Sequence, residues 1–300
     1  MKKPLYWTLI AIFGVIFLVC AGIVGNYLWD SLQNRQLQQD LIPSTSARPI
    51  PTGTSSSTHT TLPTNPTDTT NSTTQPPTTV PTQPTVPQIL EEYLSSYERN
   101  DHMVGWIHIP GTENSAQGFP GINYPVVQAP NEPAWHNFYL NHDFDRNSTA
   151  DGRGDGHGWI YVREACNVFE PSDNVVLYGH NMADGTMFGQ VVNYRFEDYY
   201  LEHKYIHFDT LYERHTYEVI AVFLTSGTTG VGYTYHSVNN FRSEEEFNRF
   251  IADIKGAASN VYTYYNIPTT AVYGDKLLTL STCWKAIDNG RLVVVAKRIS

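Results

Sequence analysis

The chain has 300 residues, a formal charge of −10 and no cluster of lysine or arginine beyond its extreme N-terminus, so it offers no basic stripe for nucleic acid. Its three cysteines, Cys20, Cys166 and Cys283, are an odd number at scattered spacing. They match neither a disulfide framework nor a zinc site, and at least one thiol has no partner within the chain.

Lys2 and Lys3 precede an uncharged run from Leu5 to Leu28. A bilayer-spanning helix needs roughly 20 such residues. The lysines favour the cytoplasmic side, which puts everything after Asp30 outside. Two rivals fit less well. A cleaved signal peptide, with its site among Gly22–Asn26, would have a shorter core, and a lipoprotein Cys20 would follow small residues rather than Phe17-Leu-Val19. Residues 1–30 therefore read as a cytoplasmic tip and a single-pass membrane anchor.

Residues 31–87 read as a disordered stalk. From Pro43 to Pro87 the chain is mostly Thr, Pro, Ser and Asn, with too little apolar surface to offset the entropy of ordering. The prolines favour extended geometry at about 3.1 Å per residue, a reach on the order of 100 Å. Asn71-Ser-Thr73 matches a glycosylation sequon.

From residue 88 to 300 the composition is globular and mainly β. Leu90, Tyr93, Leu94 and Tyr97 recur at helical spacing and predict a short opening helix. Val104–Ile109 and Ile122–Val127 read as strands, with residues 112–121 an exposed polar loop between them. Residues 151–157, Asp-Gly-Arg-Gly-Asp-Gly-His, form a Gly-rich turn that lacks the spaced acidic ligands of a calcium loop. Val175–Tyr178, Tyr205–Phe208 and Tyr217–Leu224 are further strands. His203 and His207 are four apart, but in an extended segment that separates them by about 13 Å, so no metal is assigned there. Ser243 with Glu246 is a capping box, Phe247, Phe250, Ile251 and Ile254 form one apolar stripe, and Gly256 is the expected stop of this helix.

Two last strands close the chain. Leu277-Leu-Thr-Leu-Ser-Thr-Cys283 leads through a turn containing Asp288, Asn289 and Gly290 into Arg291-Leu-Val-Val-Val-Ala296. This puts a cysteine at one strand end and an arginine at the start of its neighbour. A lone cysteine is usually a small buried hydrophobe. However, a thiolate needs nearby positive charge, and an acyl-transfer transition state needs an oxyanion donor, and Arg291 can supply both. Val175–Tyr178 likewise runs into Gly179-His180, with a glycine that permits a tight turn. His and Cys at two strand ends on one rim are the parts of a nucleophile–base pair.

Tyr178-Gly-His-Asn-Met182, Thr279-Leu-Ser-Thr-Cys283 and Arg291 together resemble the sortases, specifically class B. The resemblance extends to Gly105-Trp-Ile107, Ile122–Gln128 and Tyr139–Asp143, and covers residues 88–300. It implies a sortase-type β-barrel with an N-terminal helix and a helix inserted before the last strands. The implied activity is cysteine transpeptidation at the surface of a Gram-positive-type bacterium. By position, Cys283 is the nucleophile, His180 the general acid/base and Arg291 the oxyanion stabiliser. Leu140, Asn181, Tyr233, Tyr235, Ser281 and Thr282 are substrate-groove candidates by location and analogy. The implied partners are sorting-signal peptides of secreted proteins and an acceptor amine from a peptidoglycan precursor, or a lysine of a pilin in a pilus-polymerising enzyme. No cofactor or metal motif is present. The turn from Cys283 to Arg291 is shorter than in many class B members, and 112–121 and 151–158 look like local insertions. Other Cys–His enzymes of the wall, L,D-transpeptidases and papain-like peptidases, lack Thr-Leu-Ser-Thr-Cys with a following Arg. A wall-associated binding domain with a dead site would not need all three residues.

Overall fold

A computed structural model describes residues 3–43, 87–115, 118–150, 156–228, 230–259 and 266–300. The Thr/Pro tract with its sequon, and most of the Gly-rich turn at 151–157, lie outside these residues.

Eight strands close into one barrel: β1 Met103–Ile109, β2 Ile122–Val127, β3 Tyr161–Val162, β4 Asn174–Tyr178, β5 Tyr205–Thr210, β6 Thr216–Ser226, β7 Leu277–Trp284 and β8 Gly290–Arg298. Their order around the barrel is β1-β2-β3-β4-β7-β8-β6-β5. Seven of them fall on the apolar runs read from the sequence. The eighth, β3, is a two-residue bridge from β2, to which it is parallel, to β4. So short a strand carries no periodicity of its own, which is why the sequence did not mark it. Side chains such as Ile107, Ile109, Tyr124, Val126, Leu177, Leu280 and Val294 fill the interior with no measurable exposure. Closure between β2 and β3 rests on one pair, Val127 with Tyr161. Gly105 is required where β1 meets β5, because a Cβ there would stand 2.1 Å from the Asp209 carbonyl oxygen.

The described residues contain four α-helices: α1 Lys3–Leu41, α2 Leu94–Arg99, α3 Glu197–Glu202 and α4 Glu244–Ser259. The opening helix is a 3-10 turn, Glu91–Tyr93, followed by α2. Its buried anchor is Tyr93, whose hydroxyl donates to Asp209, whereas Leu94 of the expected stripe is exposed. On α4 the stripe Phe247, Phe250, Ile251 and Ile254 is buried as expected, and the Glu246 amide donates to Ser243 Oγ. Gly256 does not stop α4, which continues to Ser259. A glycine most readily ends a helix by turning left-handed, and this one does not. The polar loop after β1 is also less exposed than expected. Thr112 is buried, donating to the Ile109 carbonyl and accepting the Ile122 amide, so it staples the ends of β1 and β2.

The largest departure concerns α1. The helix does not end near residue 30 but runs to Leu41, so residues 31–41 are not part of a disordered stalk. The reason is compositional: Leu32-Gln-Asn-Arg-Gln-Leu-Gln-Gln-Asp-Leu41 consists largely of strong helix formers, without glycine or proline. At 39 residues α1 is about 58 Å long, nearly twice the hydrocarbon thickness of a bilayer. It is the one helix among the described residues long and apolar enough to cross a membrane. Its apolar part is exposed, whereas Asn34, Gln38 and Leu41 are buried against the barrel.

Candidate active site

The site is built by register. In the antiparallel β7/β8 pair Cys283 stands opposite Arg291. The connecting turn works because Asn289 takes a left-handed conformation, φ 47°, which Asn tolerates better than most residues. In the parallel β4/β7 pair Tyr178 stands beside Ser281. Continued two residues, that register carries His180 to the level of Cys283, so all three residues lie at one rim of the barrel.

Side chains lock this rim. Thr282 Oγ1 donates to the Gly179 carbonyl at 2.8 Å and Asn181 Nδ2 donates to the Cys283 carbonyl at 2.9 Å. Gly179 is needed for room rather than for backbone handedness: a Cβ there would lie 2.7 Å from the Phe188 ring. His180 Nε2 lies 2.7 Å from the Leu140 carbonyl oxygen. A carbonyl only accepts, so Nε2 carries a proton and Nδ1 is the nitrogen left to exchange one. Arg291 Nη1 donates to the Asn289 and Gly290 carbonyls, 3.1 and 3.0 Å away, which fixes the guanidinium over its own turn. Cys283 is exposed, whereas Cys166 is buried and its thiol is pushed up by desolvation.

These three residues share a cleft of about 370 Å³ with Leu140, Tyr235, Ser281 and Thr282. Ser281 and Thr282 are buried in its floor, and Tyr235 Oη lies 2.6 Å from Ser281 Oγ. Burial pushes the Tyr235 phenol up, so it stays neutral and can donate or accept in this pair. Asn181 acts at the rim, through the Cys283 carbonyl. Tyr233 does not belong to the site. Its ring packs on Phe223 and on Phe250 of α4, and its amide and carbonyl both bond Thr225 Oγ1. Location and analogy put both tyrosines in the groove, but of the two only Tyr235 lines the cleft.

The cleft also contains residues that carried no sequence signal. Arg163 and Glu164 follow β3, the strand that periodicity could not show. Glu164 accepts the Asn137 amide at 2.8 Å, and Arg163 donates to Asn239. His236 lines the same wall, and its buried Nδ1 has no partner among the described residues. Desolvation, reinforced by Arg163 and Arg291, holds this imidazole below the usual histidine range and therefore neutral. No group of three or more His, Cys, Asp or Glu among the described residues is placed to hold a metal ion.

A family model described as "Sortase domain" matches residues 120–299. Sortase B of Staphylococcus aureus is 30% identical over 202 residues, which are 67% of this chain and 71% of that one. The chain belongs to the sortase family, in its class B. It is therefore a cysteine transpeptidase. Solved sortase structures share the architecture. A Staphylococcus aureus sortase B–substrate complex has TM-score 0.57 at 28% identity, over 71% of this chain and 86% of that one. Sortase B of Bacillus anthracis in complex with AAEK1 has TM-score 0.62 over 91% of this chain and 99% of that one, and at 24% identity it speaks for the fold alone.

Proposed function

We propose that this sortase is a membrane-anchored enzyme that cleaves the C-terminal sorting signal of secreted proteins and joins them to an amine of a cell-wall precursor. The observation that carries the reading is the shared rim, on which strand register aligns Cys283, Arg291 and His180 at the mouth of one cleft. α1 serves as the anchor, with Lys2 and Lys3 cytoplasmic and the barrel outside. The binding of a substrate by the Staphylococcus aureus relative supports a peptide in the equivalent cleft here.

The Cys283 thiolate attacks a peptide carbonyl carbon of the sorting signal, and Arg291 holds the resulting oxyanion. His180 delivers a proton from Nδ1 to the departing amine, the C–N bond breaks, and a thioester to Sγ remains. The acceptor amine then loses its proton to His180 and attacks the thioester. An amide forms and the thiolate leaves. Water in place of the amine gives simple hydrolysis. Tyr235, Ser281, Thr282 and Leu140 supply the walls of the peptide groove.

The test uses the full chain in lipid nanodiscs, wild type and Cys283→Ala, His180→Ala and Arg291→Lys. Each is incubated with a library of sorting-signal peptides and, separately, with a peptidoglycan stem peptide or a lysine-containing pilin peptide as acceptor. Intact-mass detection should show a Cys283-dependent thioester in wild type and an amide-linked product with the stem peptide. A product with the lysine peptide alone would replace wall anchoring by pilus polymerisation. An alkylatable thiol that forms no adduct with any peptide would sink the reading.

A further inference from the structure

The end of α1 that leaves the apolar stretch is bound to the turn that follows β4, residues 180–188. Asn34 Nδ2 donates to Thr186 Oγ1 at 3.0 Å, and Arg35 donates to the Asp184 carbonyl at 3.0 Å. Ser31 donates to the Asp184 carboxylate, which also accepts from the Thr186 amide and hydroxyl. One turn further, Gln38 is 1% exposed and makes three contacts. Its Nε2 donates to the Gly121 and Asn123 carbonyls, at 3.2 and 3.3 Å, and its Oε1 accepts from Tyr124 Oη at 2.9 Å.

That tyrosine is the relay. Its ring is wholly buried on β2, and its hydroxyl accepts the Met187 amide at 3.0 Å. Met187 sits at φ 52°, a left-handed conformation that a residue with a long side chain adopts only when its surroundings hold it there. Met187 in turn bridges Asn181, and the next amide, Phe188, donates to the His180 carbonyl at 2.9 Å. Phe188 is also the ring that packs under Gly179. A path of hydrogen bonds joined by the Met187–Phe188 backbone therefore runs from α1 to the backbone of His180.

We propose that residues 31–41 of α1 are a working part of the catalytic head, with Gln38 and Tyr124 acting as positioning residues that hold the 180–188 turn and so aim His180 and Asn181 at the thiol. The proposal rests on the reading of His180 as acid/base to Cys283. Its consequence is that residues 31–41, which directly follow the apolar stretch of α1, hold the head close to that stretch.

The experiment uses the full chain in nanodiscs and a substrate-free probe, iodoacetamide, which reads the pH–rate profile of Cys283 alkylation. Variants are Tyr124→Phe, which keeps the ring and so the core, Gln38→Ala, the double variant, and His180→Ala as the reference. Hydrogen exchange of the Met187 and Phe188 amides is measured on each. His180→Ala should displace the midpoint of the profile, and Tyr124→Phe and Gln38→Ala should displace it in the same direction. The double variant should do no more than the larger single one, because both act on one path. Met187 and Phe188 exchange should quicken about tenfold or more in both single variants. A wild-type profile in Tyr124→Phe and Gln38→Ala, with His180→Ala displaced, overturns the proposal. If His180→Ala itself leaves the profile unmoved, it is the pairing of His180 with the thiol that fails. The exchange data then decide the clamp: unchanged protection in Tyr124→Phe refutes it.

Discussion

The two halves of the proposed catalytic rim are held by different means. Cys283 and Arg291 sit on β7 and β8, whose eight registered pairs fix both residues through the backbone ladder. His180 and Asn181 sit beyond the last paired residue of β4, on a turn held by side chains: Thr282, Asn181, Tyr124 and the buried end of α1. Strand register is specified by the hydrophobic alternation and is costly to shift. A turn held by single hydrogen bonds stands or falls with individual residues. Substitutions in the first half should therefore remove chemistry without disturbing structure, and substitutions in the second should disturb aim.

The sharpest way to break this contrast is at Arg291. Arg291→Lys keeps the charge but loses the planar fork, and the β7/β8 ladder should hold the new side chain in place. Transpeptidation should fall by about two to three orders of magnitude, the loss expected of an oxyanion donor, with the melting temperature unchanged. A large fall in melting temperature would show that the guanidinium, bonded to the Asn289 and Gly290 carbonyls, also holds the hairpin. On the turn side, Gly179→Ala forces a Cβ to within 2.7 Å of the Phe188 ring. Activity should drop by about a hundredfold through misplacement of His180, while the barrel stays folded by circular dichroism. Asn181→Ala removes one bond, to the Cys283 carbonyl, and should cost up to about tenfold in kcat/KM. If Asn181→Ala costs as much as Arg291→Lys, the two halves are not distinct.

The same contrast explains how far the sequence could be read. Strands were visible as runs rich in apolar and β-branched residues, and the rim with them, because Cys283, Arg291 and His180 are adjacent to those runs. β3 is two residues long, so Arg163 and Glu164, which it delivers to the cleft, had no local signal. Tyr233 and Tyr235 show a second limit: location and analogy place a loop near the groove but do not say which of its side chains turns inward, and Tyr233 packs on Phe223 and Phe250 instead. The α1 boundary was missed for a third reason. Charge and apolarity mark where a membrane segment ends, but helix propensity continues past it, and only the barrel surface shows that Asn34, Gln38 and Leu41 have a partner.

Smaller effects sharpen the picture of the cleft floor. Tyr235→Phe leaves the buried Ser281 hydroxyl without its 2.6 Å partner, which should cost about 1–3 kcal/mol in chemical denaturation. Tyr233→Phe changes a ring that faces α4 and should leave peptide KM unaltered.

The gentlest probe is pH. His102, His157 and His236 are each held below the usual histidine range, in every case chiefly by desolvation, with Arg146 adding to the effect at His102 and Arg163 and Arg291 at His236. Once unfolded, each takes up a proton near the ordinary value of about 6.5, whereas in the folded protein each resists until the pH is lower. Over that interval the unfolded state binds more protons, so stability must fall as the pH falls through about 6.5, and the loss stops growing only below the folded values. Histidines gaining an acidic partner would give the opposite slope. His157 is the cleanest to isolate, because it lies outside the cleft and its environment is set mainly by burial. Melting temperatures of wild type and His157→Gln, taken from about pH 8 to about pH 5, should converge as the medium is acidified, because the glutamine variant lacks one of the three groups whose protonation favours unfolding. A difference between the two proteins that is constant across that range would mean His157 contributes packing alone. The acid sensitivity of the fold would then rest on His102 at the start of β1 and on His236 in the cleft wall.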